Sequence, residues 1–152
     1  MCKLLKPSVE KPWLKFFSEE AREASMPRNT IYRHLRECSE GGLGDTALNY
    51  FGKKISYGKL LDEVDRAAGA FAAAGIKKGD IVAAATVTIP EMVYALYGLN
   101  KIGAAPLMLD PRTNATEVLR FVKETGAKIF IVIDLYYEVL KDVLFESGVE
   151  KI

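Results

Sequence analysis

The stretch GIKKGDIVAAATVTIPEMVYALYGLNKIGAAPLMLDPR, residues 75–112, contains the pattern that decides the fold. A polar turn at 77–80 leads into an apolar run over 81–85, a helical pattern over 89–102 and a second apolar run over 105–109. Parallel strands need a crossover connection of this length, because a tight turn cannot return the chain to the same end of a sheet. The stretch therefore predicts a β-α-β unit with two parallel strands.

The same alternation of strand and helix continues towards the end of the sequence. The pattern predicts a helix over 115–125, a strand over 128–133 and a helix over 136–146, and residues 149–152 resemble the start of a further strand. The strand segments are continuous apolar runs, which is typical of strands covered by helices on both faces. We therefore predict an α/β fold of three layers, with a mostly parallel sheet and helices on both faces, in a flavodoxin-like or Rossmann-like arrangement.

The residues before this unit predict two helices and a small β hairpin. The first helix is expected to begin near Asn29 or Thr30, either of which can cap it, and to end at the flexible connector 41–45. Short β-prone runs on both sides of a turn at 52–54 predict the hairpin. Ser56 is expected to cap the second helix, which extends to residue 74. Its apolar face consists of Leu60, Leu61, Val64, Ala67, Ala68 and Phe71.

Residues 1–28 are predicted to form an N-terminal arm, and residues 29–152 to form the αβ domain. The arm contains the segment KPWLKFF, whose apolar side chains lie close together and need burial against another surface. These side chains are Trp13, Leu14, Phe16 and Phe17. Two alternatives remain open: the arm packs on the domain body, or it docks on a part of the protein outside this sequence.

Charge and composition exclude several classes of function. With 21 Lys and Arg against 20 Asp and Glu, the net charge is +1, so no overall field attracts nucleic acid. We expect no integral membrane segment, because no stretch approaches 18 uninterrupted apolar residues. No secretory signal is recognised, so Cys2 and Cys38 are predicted to be reduced thiols in a cytoplasmic protein.

Ligands of open α/β sheets bind beyond the carboxyl ends of the strands. The residues expected there are Thr86, Thr88, Asp110, Arg112, Thr113 and Asp134. No glycine-rich phosphate loop follows a strand. The spacings of Thr88 with Glu91 and of Asn114 with Glu117 predict capping boxes that occupy the helix N-termini. We therefore predict no catalytic, cofactor-binding or metal-binding residue and no nucleotide-phosphate site in this chain.

The chain contains other residues that often carry chemistry, and each has a structural interpretation. Asp110 or Asp134 as a phosphoryl acceptor of a receiver domain would need an acidic pair after the first strand, which is missing. Turn formation and helix capping are therefore the preferred roles for these aspartates. His34 is the only histidine, and the cysteines lack zinc-finger spacing, so we expect His34 at a surface or half-buried helix position.

Three motifs occur in an order that is familiar from one enzyme superfamily. They are ISYGKL (55–60), GIKKGDIVA (75–83) and NKIGAAPLMLDP (100–111). Together, over about residues 29–140, they resemble the N-terminal part of the adenylate-forming, or AMP-binding, enzymes, which include acyl-CoA synthetases, peptide-synthetase adenylation domains and luciferases. The resemblance implies the N-terminal αβ subdomain of the adenylate-forming fold. It also implies that Lys101, Gly103 and Pro111 are packing and turn positions.

The resemblance implies that the parent protein is a two-step ligase. In this family a carboxylic acid reacts with ATP and Mg²⁺ to give an acyl-adenylate and pyrophosphate, and a thiol, usually coenzyme A, then takes the acyl group. The family's phosphate loop, ribose-binding aspartate and C-terminal lysine lie later in the chain, and no position here matches them. We therefore expect the fragment alone to be inactive, and ATP, Mg²⁺ and coenzyme A to belong to the parent enzyme.

The arm is more similar to that of an acyl-CoA synthetase than to an embedded adenylation domain, which favours a fatty or other aliphatic acid. The expected partners are the rest of the parent enzyme and its acid substrate. The isolated fragment is expected to self-associate through the arm or an open sheet edge. The alternative is a stand-alone, flavodoxin-like module that binds or interacts without catalysis, and the length of the reading frame distinguishes the two.

Overall fold

The computed structural model describes residues 7–25 and 28–152. The regular elements of these residues follow in chain order. They are α1 (Pro7–Glu10), a 3-10 helix (Pro12–Phe16), α2 (Glu19–Glu23), α3 (Ile31–Ser39), β1 (Thr46–Tyr50), β2 (Lys53–Ser56), α4 (Tyr57–Ala73), β3 (Ile81–Ala85), α5 (Pro90–Ile102), β4 (Ala105–Leu109), α6 (Ala115–Thr125), β5 (Ile129–Val132) and α7 (Asp134–Glu146).

A parallel sheet of three strands forms the middle layer, in the order β4-β3-β5. Ile81 of β3 is in register with Ala105 of β4, and Val82 is in register with Ile129 of β5. Helix α5 connects β3 to β4 on one side of it. Helix α6 then connects β4 to β5, which lies on the other side of β3. The predicted α/β class, parallel sheet and crossover helices are therefore confirmed.

Helices cover the two faces of β3, and alternate residues of the strand point to each face. Val82 and Ala84 pack among side chains of α4 and α5, in the same clusters as Leu99 and Met92. Ala83 and Ala85 pack against α6 and α7, in a cluster that includes Phe130. The exposed fractions of residues 82–85 are 0–1%. The predicted three-layer arrangement is therefore confirmed.

Helix caps agree with the sequence at three helices and differ at one. The side chains of Thr30, Ser56 and Asn114 accept hydrogen bonds from the backbone N–H groups three residues on, as predicted. The capping box at Thr88 was wrong, because Ile89 is the N-cap of α5 and provides no side-chain cap. Pro90 takes the first helical position, where its fixed φ suits the helix, so Thr88 lies one residue too early.

The predicted hairpin forms, but its turn lies one residue earlier than expected. β1 and β2 are antiparallel, and Tyr50 pairs with Lys53, so the turn consists of Phe51 and Gly52. Both residues have positive φ, 49° and 86°, as a two-residue turn of type I′ requires. Lys53 therefore belongs to the strand and not to the turn, which the sequence did not indicate because a phenylalanine seldom adopts positive φ.

The apolar cluster of the arm is exposed in the structure. Trp13, Phe16 and Phe17 are 44%, 81% and 51% exposed. Within the described part of the arm, the guanidinium of Arg22 donates to the carbonyl of Leu14 at 2.8 Å, which stabilises the arm internally. The structure therefore does not show the alternative in which this cluster is buried on the domain body, and the domain boundary at residue 28 stays a prediction.

The two cysteines differ in what the structure describes. Cys2 lies outside the described residues, as does Pro27, and Cys38 is an exposed free cysteine. No helix among residues 7–25 and 28–152 combines the length and apolar character needed to cross a bilayer.

A polar cluster attaches α3 to α4 and α5. The side-chain oxygen of Asn100 accepts from the backbone N–H of Tyr32 at 2.9 Å, which satisfies a donor in the first turn of α3. The hydroxyl of Tyr32 donates to Asp65 at 3.1 Å, and the ammonium of Lys101 donates to the same carboxylate oxygen. That ammonium also lies 4.9 Å from the centre of the Tyr32 ring. Lys101 is therefore a packing residue, as expected, and an ion-pair partner as well.

Two glycines allow close contacts around α5. A Cβ at Gly98 would lie 3.0 Å from the Cβ of Ala67 and 3.0 Å from the backbone nitrogen of Ala68, so α4 and α5 meet almost backbone to backbone. Gly103 ends α5 with a φ of 81°, and a Cβ there would lie 2.8 Å from Lys78. The predicted turn role of Gly103 is confirmed, and Gly98 sets the separation of the two helices.

We expect Gly98→Ala to lower the free energy of unfolding by about 1 kcal/mol or more, because the added methyl meets rigid helix atoms on α4. Gly69→Ala is the matched control. Gly69 lies in α4, and a Cβ there would meet no atom within 4 Å, so the same change should stabilise by about 0.5–1 kcal/mol through helix propensity. Urea denaturation of both variants measures the difference, and equal effects would contradict the close contact.

The ion pair between Asp65 and Lys101 should make the free energy of unfolding depend on pH in the acid range. Burial raises the pKa of Asp65, but the hydrogen bonds from Lys101 and Tyr32 outweigh burial and lower the pKa below its ordinary value of 3.8. The ion pair therefore stabilises the fold at pH values above 3.8, and this stabilisation is lost as the pH falls through the lowered pKa of Asp65. Since the carboxylate side chain is 54% exposed, the contribution should stay below about 1 kcal/mol.

Thermal unfolding between pH 2 and 6 tests this pair. Asp65→Asn should flatten the fall in melting temperature towards low pH, whereas Asp62→Asn, at an exposed position of the same helix, should leave the slope unchanged. Parallel acid profiles for wild type and Asp65→Asn would show that the pair does not stabilise the fold.

Candidate functional site

An open cleft of about 450 Å³ lies at the carboxyl ends of the strands, where the sequence places the candidate residues. Its lining includes four of the predicted strand-end residues and, from a later helix, a tyrosine that was not predicted. The four are Thr86, Thr88, Asp110 and Arg112, and the fifth is Tyr136. Thr113 and Asp134, also predicted for this edge, do not line the cleft.

The end of β3 forms the inner side of the cleft. Thr86 is 9% exposed, and its hydroxyl donates to the carbonyl of Val87 at 3.3 Å. The N–H of Ile89 donates to the same carbonyl at 2.9 Å, so the chain turns sharply before α5. This turn places Thr88 at the surface of the cleft, where its hydroxyl is available to solvent.

An ion pair within one turn dominates the outer side of the cleft. The guanidinium of Arg112 donates from Nε to Asp110 Oδ1 at 3.0 Å and from Nη2 to Oδ2 at 2.7 Å. The backbone N–H of Arg112 adds a third bond to Oδ1 at 2.9 Å. Because both carboxylate oxygens are bound, the pair has the two-point geometry typical of arginine with a carboxylate.

These bonds fix the protonation state of Asp110. The side-chain and backbone hydrogen bonds from Arg112 lower the pKa of Asp110 to about 2. The carboxylate is therefore ionised at neutral pH and cannot serve as a general acid. The oxygens of the Asp110 carboxylate already accept three hydrogen bonds from Arg112. This favours the predicted turn-forming role of Asp110 over a role as phosphoryl acceptor.

The helices that begin at this edge differ in how their N-termini are satisfied. Asn114 accepts from the N–H of Glu117 at 3.0 Å, and its amide donates back to the Glu117 carboxylate at 3.3 Å. The predicted cap by Asn114 is therefore confirmed, whereas the second bond of the predicted capping box differs, because Glu117 accepts from the side-chain amide of Asn114 and not from its backbone N–H. α5 has no side-chain cap, but the N–H groups of Met92 and Val93 both donate to the carbonyl of Ile89.

The third helix of this edge begins two residues earlier than predicted. Asp134 is the first residue of α7, and its carboxylate accepts from the N–H of Leu135 at 2.8 Å, so it acts as a helix-terminal residue. Tyr136 consequently lies in the first turn of α7, facing the cleft. The position of Tyr136 a few residues after β5, in the first turn of the helix at this edge, was the signal that could have revealed it in the sequence.

A second cleft, between the hairpin and the first turns of α4 and α5, has side chains of both charges. Lys59 forms an ion pair of 2.6 Å with Glu63, and its hydrogen bond lowers the pKa of that carboxyl. Burial, followed by the carboxylates of Glu91 and Glu63, raises the pKa of Tyr94, so the phenol remains protonated. The mixed charges favour no single class of ligand.

The remaining candidates for metal binding lie apart from both clefts. His34 is exposed on α3, as predicted, and its Nε2 lies 3.7 Å from the sulfur of Cys38. Two ligands on adjacent turns do not make a metal site by themselves. Within the part of the chain that the structure describes, no group of three or more His, Cys, Asp and Glu side chains is placed to hold an ion.

The comparison with known protein families gives a direct assignment. Residues 35–151, more than half of the chain, match the family model described as AMP-binding enzyme. The chain belongs to the AMP-binding enzyme family. The resemblance inferred from the three sequence motifs is therefore confirmed, and the chain corresponds to an N-terminal part of such an enzyme.

Curated relatives of this chain include proteins named as CoA synthetases and CoA ligases. It is 32% identical over 129 residues to an acetyl-coenzyme A synthetase of Streptomyces avermitilis, a match that covers 81% of this chain and 19% of the relative. It is 24% identical over 129 residues to a long-chain-fatty-acid–CoA ligase of Bacillus subtilis, covering 84% of this chain and 23% of the relative. The chain therefore spans about a fifth of the length of these relatives.

A solved structure with the same fold is that of an anthranilate CoA ligase in complex with anthranoyl-AMP. The TM-score is 0.76 at 17% sequence identity, and the match covers 84% of this chain and 26% of that one. At this identity the similarity concerns the fold alone. It confirms the predicted subdomain of the adenylate-forming fold, since the parallel sheet and its helices superimpose within a much larger ligase.

A substitution of Arg112 tests the Asp110–Arg112 pair directly. In Arg112→Gln the pKa of Asp110 should rise from about 2 towards its ordinary value of 3.8, because the largest stabilising hydrogen bonds of the carboxylate are removed. The rise should be incomplete, since the backbone N–H at position 112 still donates. Titration of the Asp110 carboxyl carbon by NMR measures the pKa.

Arg120→Gln is the matched control, because Arg120 is an exposed arginine of α6 that pairs with Glu124 and not with Asp110. It should leave the Asp110 titration unchanged. The lowered pKa also implies that the pair stabilises the fold above pH 3.8 and that this contribution is lost as the pH falls towards 2. An unchanged Asp110 pKa in Arg112→Gln would contradict the assignment of the pair.

Proposed function

We propose that this chain is the N-terminal part of an ATP-dependent, AMP-forming ligase that joins a carboxylic acid to coenzyme A. The observation that carries the proposal is the match of residues 35–151 to the AMP-binding enzyme family. The relatives named above support the choice of coenzyme A, since both are named as enzymes that form CoA thioesters. In the proposed reaction the acid first forms an acyl-adenylate, with release of pyrophosphate, and the thiol then accepts the acyl group.

The described residues do not by themselves fit ATP and Mg²⁺. Asp110, the acidic residue of the strand-end cleft, is held by Arg112, and no acidic cluster for a metal ion occurs among residues 7–25 and 28–152. The N-terminus of α6 is already satisfied by Asn114. We therefore propose that ATP, Mg²⁺ and coenzyme A bind to the parent enzyme mainly through residues outside this chain.

The contribution of this chain to the reaction is then structural. The sheet presents Thr86, Thr88 and Arg112 at the edge where ligands of α/β sheets bind. Three hydrogen bonds to Asp110 hold the turn after β4, and we infer that this edge is a surface on which the rest of a ligase assembles. We infer that the isolated chain lacks the groups for catalysis and is inactive.

The acid is proposed to be a fatty or other aliphatic acid. The support is the acyl-CoA-synthetase-like segment KPWLKFF and the long-chain-fatty-acid–CoA ligase among the relatives. A cytoplasmic location with reduced thiols, and association of isolated chains through exposed apolar side chains such as Phe16, stay part of this proposal.

Acid-dependent exchange of radioactive pyrophosphate into ATP tests the proposed function. The protein translated past Ile152 should catalyse the exchange with at least one acid of a series from acetate to palmitate, because reversal of adenylation regenerates ATP only from the correct acyl-adenylate. Absence of exchange with every aliphatic and aromatic acid tried would contradict the ligase.

Residues 1–152 alone serve as the matched control for this assay. They should show no exchange, and calorimetry should detect no ATP binding in the micromolar range. Exchange or micromolar binding by residues 1–152 would contradict the inactivity of the fragment while leaving the family assignment intact.

A further inference from the structure

The arm carries a group of exposed aromatic side chains that the fold of the domain does not use. The group consists of Trp13, Phe16 and Phe17, and we call it the arm patch. Trp13 and Phe16 lie three residues apart in the 3-10 helix, where side chains at this spacing project on the same side. None of residues 12–16, all of which the structure describes, is buried. Large apolar side chains exposed close together indicate a surface that binds a partner.

Positive charge accompanies the arm patch. Residues 1–17 hold four of the 21 basic residues and one of the 20 acidic ones, so their charge is +3 and the charge of the remaining residues is −2. Two of these lysines, Lys11 and Lys15, flank Trp13 in the described part of the arm. The ammonium of Lys15 lies 4.9 Å from the centre of the Phe16 ring. The positive charge of the chain is therefore concentrated beside the exposed aromatic side chains.

The helix that follows the arm patch has the opposite charge. The five residues of α2, EEARE, include three glutamates and one arginine. The guanidinium of that arginine, Arg22, donates to the carbonyl of Leu14 at 2.8 Å, and the side chain of Ser18 caps α2, so the 3-10 helix and α2 are held together as one unit. An anionic surface would attract the lysines of this unit and repel its glutamates, and this orients the arm patch towards the surface.

We propose that the arm patch binds to an anionic membrane surface, with Trp13 and Phe16 between the headgroups and the acyl chains and with Lys11 and Lys15 at the lipid phosphates. Tryptophan is characteristic of this boundary, because its ring is apolar and its N–H is polar. Lysine suits the same place, since its stem lies along apolar groups while its ammonium reaches the phosphates. The match of charge favours a lipid surface over a neutral protein groove.

The proposal goes beyond the proposed function and does not depend on catalysis. The cytoplasmic leaflet of a membrane contains anionic lipids, so the partner is compatible with the proposed cytoplasmic location. Long-chain acids dissolve in the same boundary. A ligase bound through the arm patch would therefore meet an acid of that kind at the membrane surface.

Fluorescence of Trp13 tests the proposal without any substitution, because Trp13 is the one tryptophan of the 152 residues. Vesicles of equal parts phosphatidylcholine and phosphatidylglycerol should shift its emission to shorter wavelength, and phospholipids brominated on their acyl chains should quench it. Vesicles of phosphatidylcholine alone should bind about tenfold more weakly, or weaker still, because the lysines then lose their anionic partners. An unchanged emission spectrum, or equal binding to both kinds of vesicle, would overturn the proposal.

Matched substitutions separate the arm patch from the rest of the surface. Cosedimentation with the anionic vesicles should weaken about tenfold in Phe16→Ser, which removes an apolar ring, and about fivefold in Lys15→Gln, which removes a charge. The controls are Phe145→Ser on α7 and Lys54→Gln on β2, both at exposed positions, and they should leave vesicle binding unchanged. Circular dichroism checks that all four variants fold. Equal losses in the arm variants and the controls would overturn the proposal.

Two other occupants of the arm patch give different results. If brominated lipids leave Trp13 unquenched while its emission shifts with protein concentration, a second copy covers the patch and the proposal is overturned. If residues 1–152 cosediment with vesicles but the protein translated past Ile152 does not, the rest of the ligase covers the patch and the proposal is again overturned. Vesicle binding without pyrophosphate exchange contradicts the proposed function alone, and exchange without vesicle binding contradicts the membrane surface alone.

Discussion

The complete burial of β3 is the constraint on which the rest of the structure depends. Residues 82–85 lie between two helical layers, with exposed fractions of 0–1%, and three of the four are alanines. A strand buried on both faces has its backbone groups paired on both sides, here by β4 and β5. The small side chains of β3 let the helices on both faces lie close to the sheet. In the same way, Gly98 lets α5 lie close to α4 where the two helices cross.

Much of this architecture could be predicted because short stretches of the sequence determine it. The apolar runs and the helical spacing between them identified β3, α5 and β4, and the capping residues Ser56 and Asn114 are recognisable by type. The errors were also local. The spacing of Thr88 with Glu91 is compatible with a box, but Pro90 decides the helix start, and Phe51 adopts a conformation that its type disfavours.

The candidate site was predictable in outline only. The rule that ligands approach the carboxyl ends of strands located Thr86, Asp110 and Arg112, and the shift of α7 towards its N-terminal side explains why Tyr136 was missed. Contacts between distant residues, such as those that join Tyr32, Asp65 and Lys101, depend on how helices are placed and have no signature in the sequence. The family match supplied what the geometry of the strand-end cleft could not, because that geometry alone does not identify a family.

The hydrogen bond from Tyr32 to Asn100 has a consequence for synthesis of the chain. Its partners are 68 residues apart, so the first turn of α3 obtains this acceptor only after α5 has left the ribosome. The first turn of α3 therefore lacks this acceptor while the hairpin and α4 are synthesised, although Tyr32 can already contact Asp65 of α4. The order of translation therefore leaves the N-terminal turn of an early helix without its side-chain acceptor until a much later helix has been made.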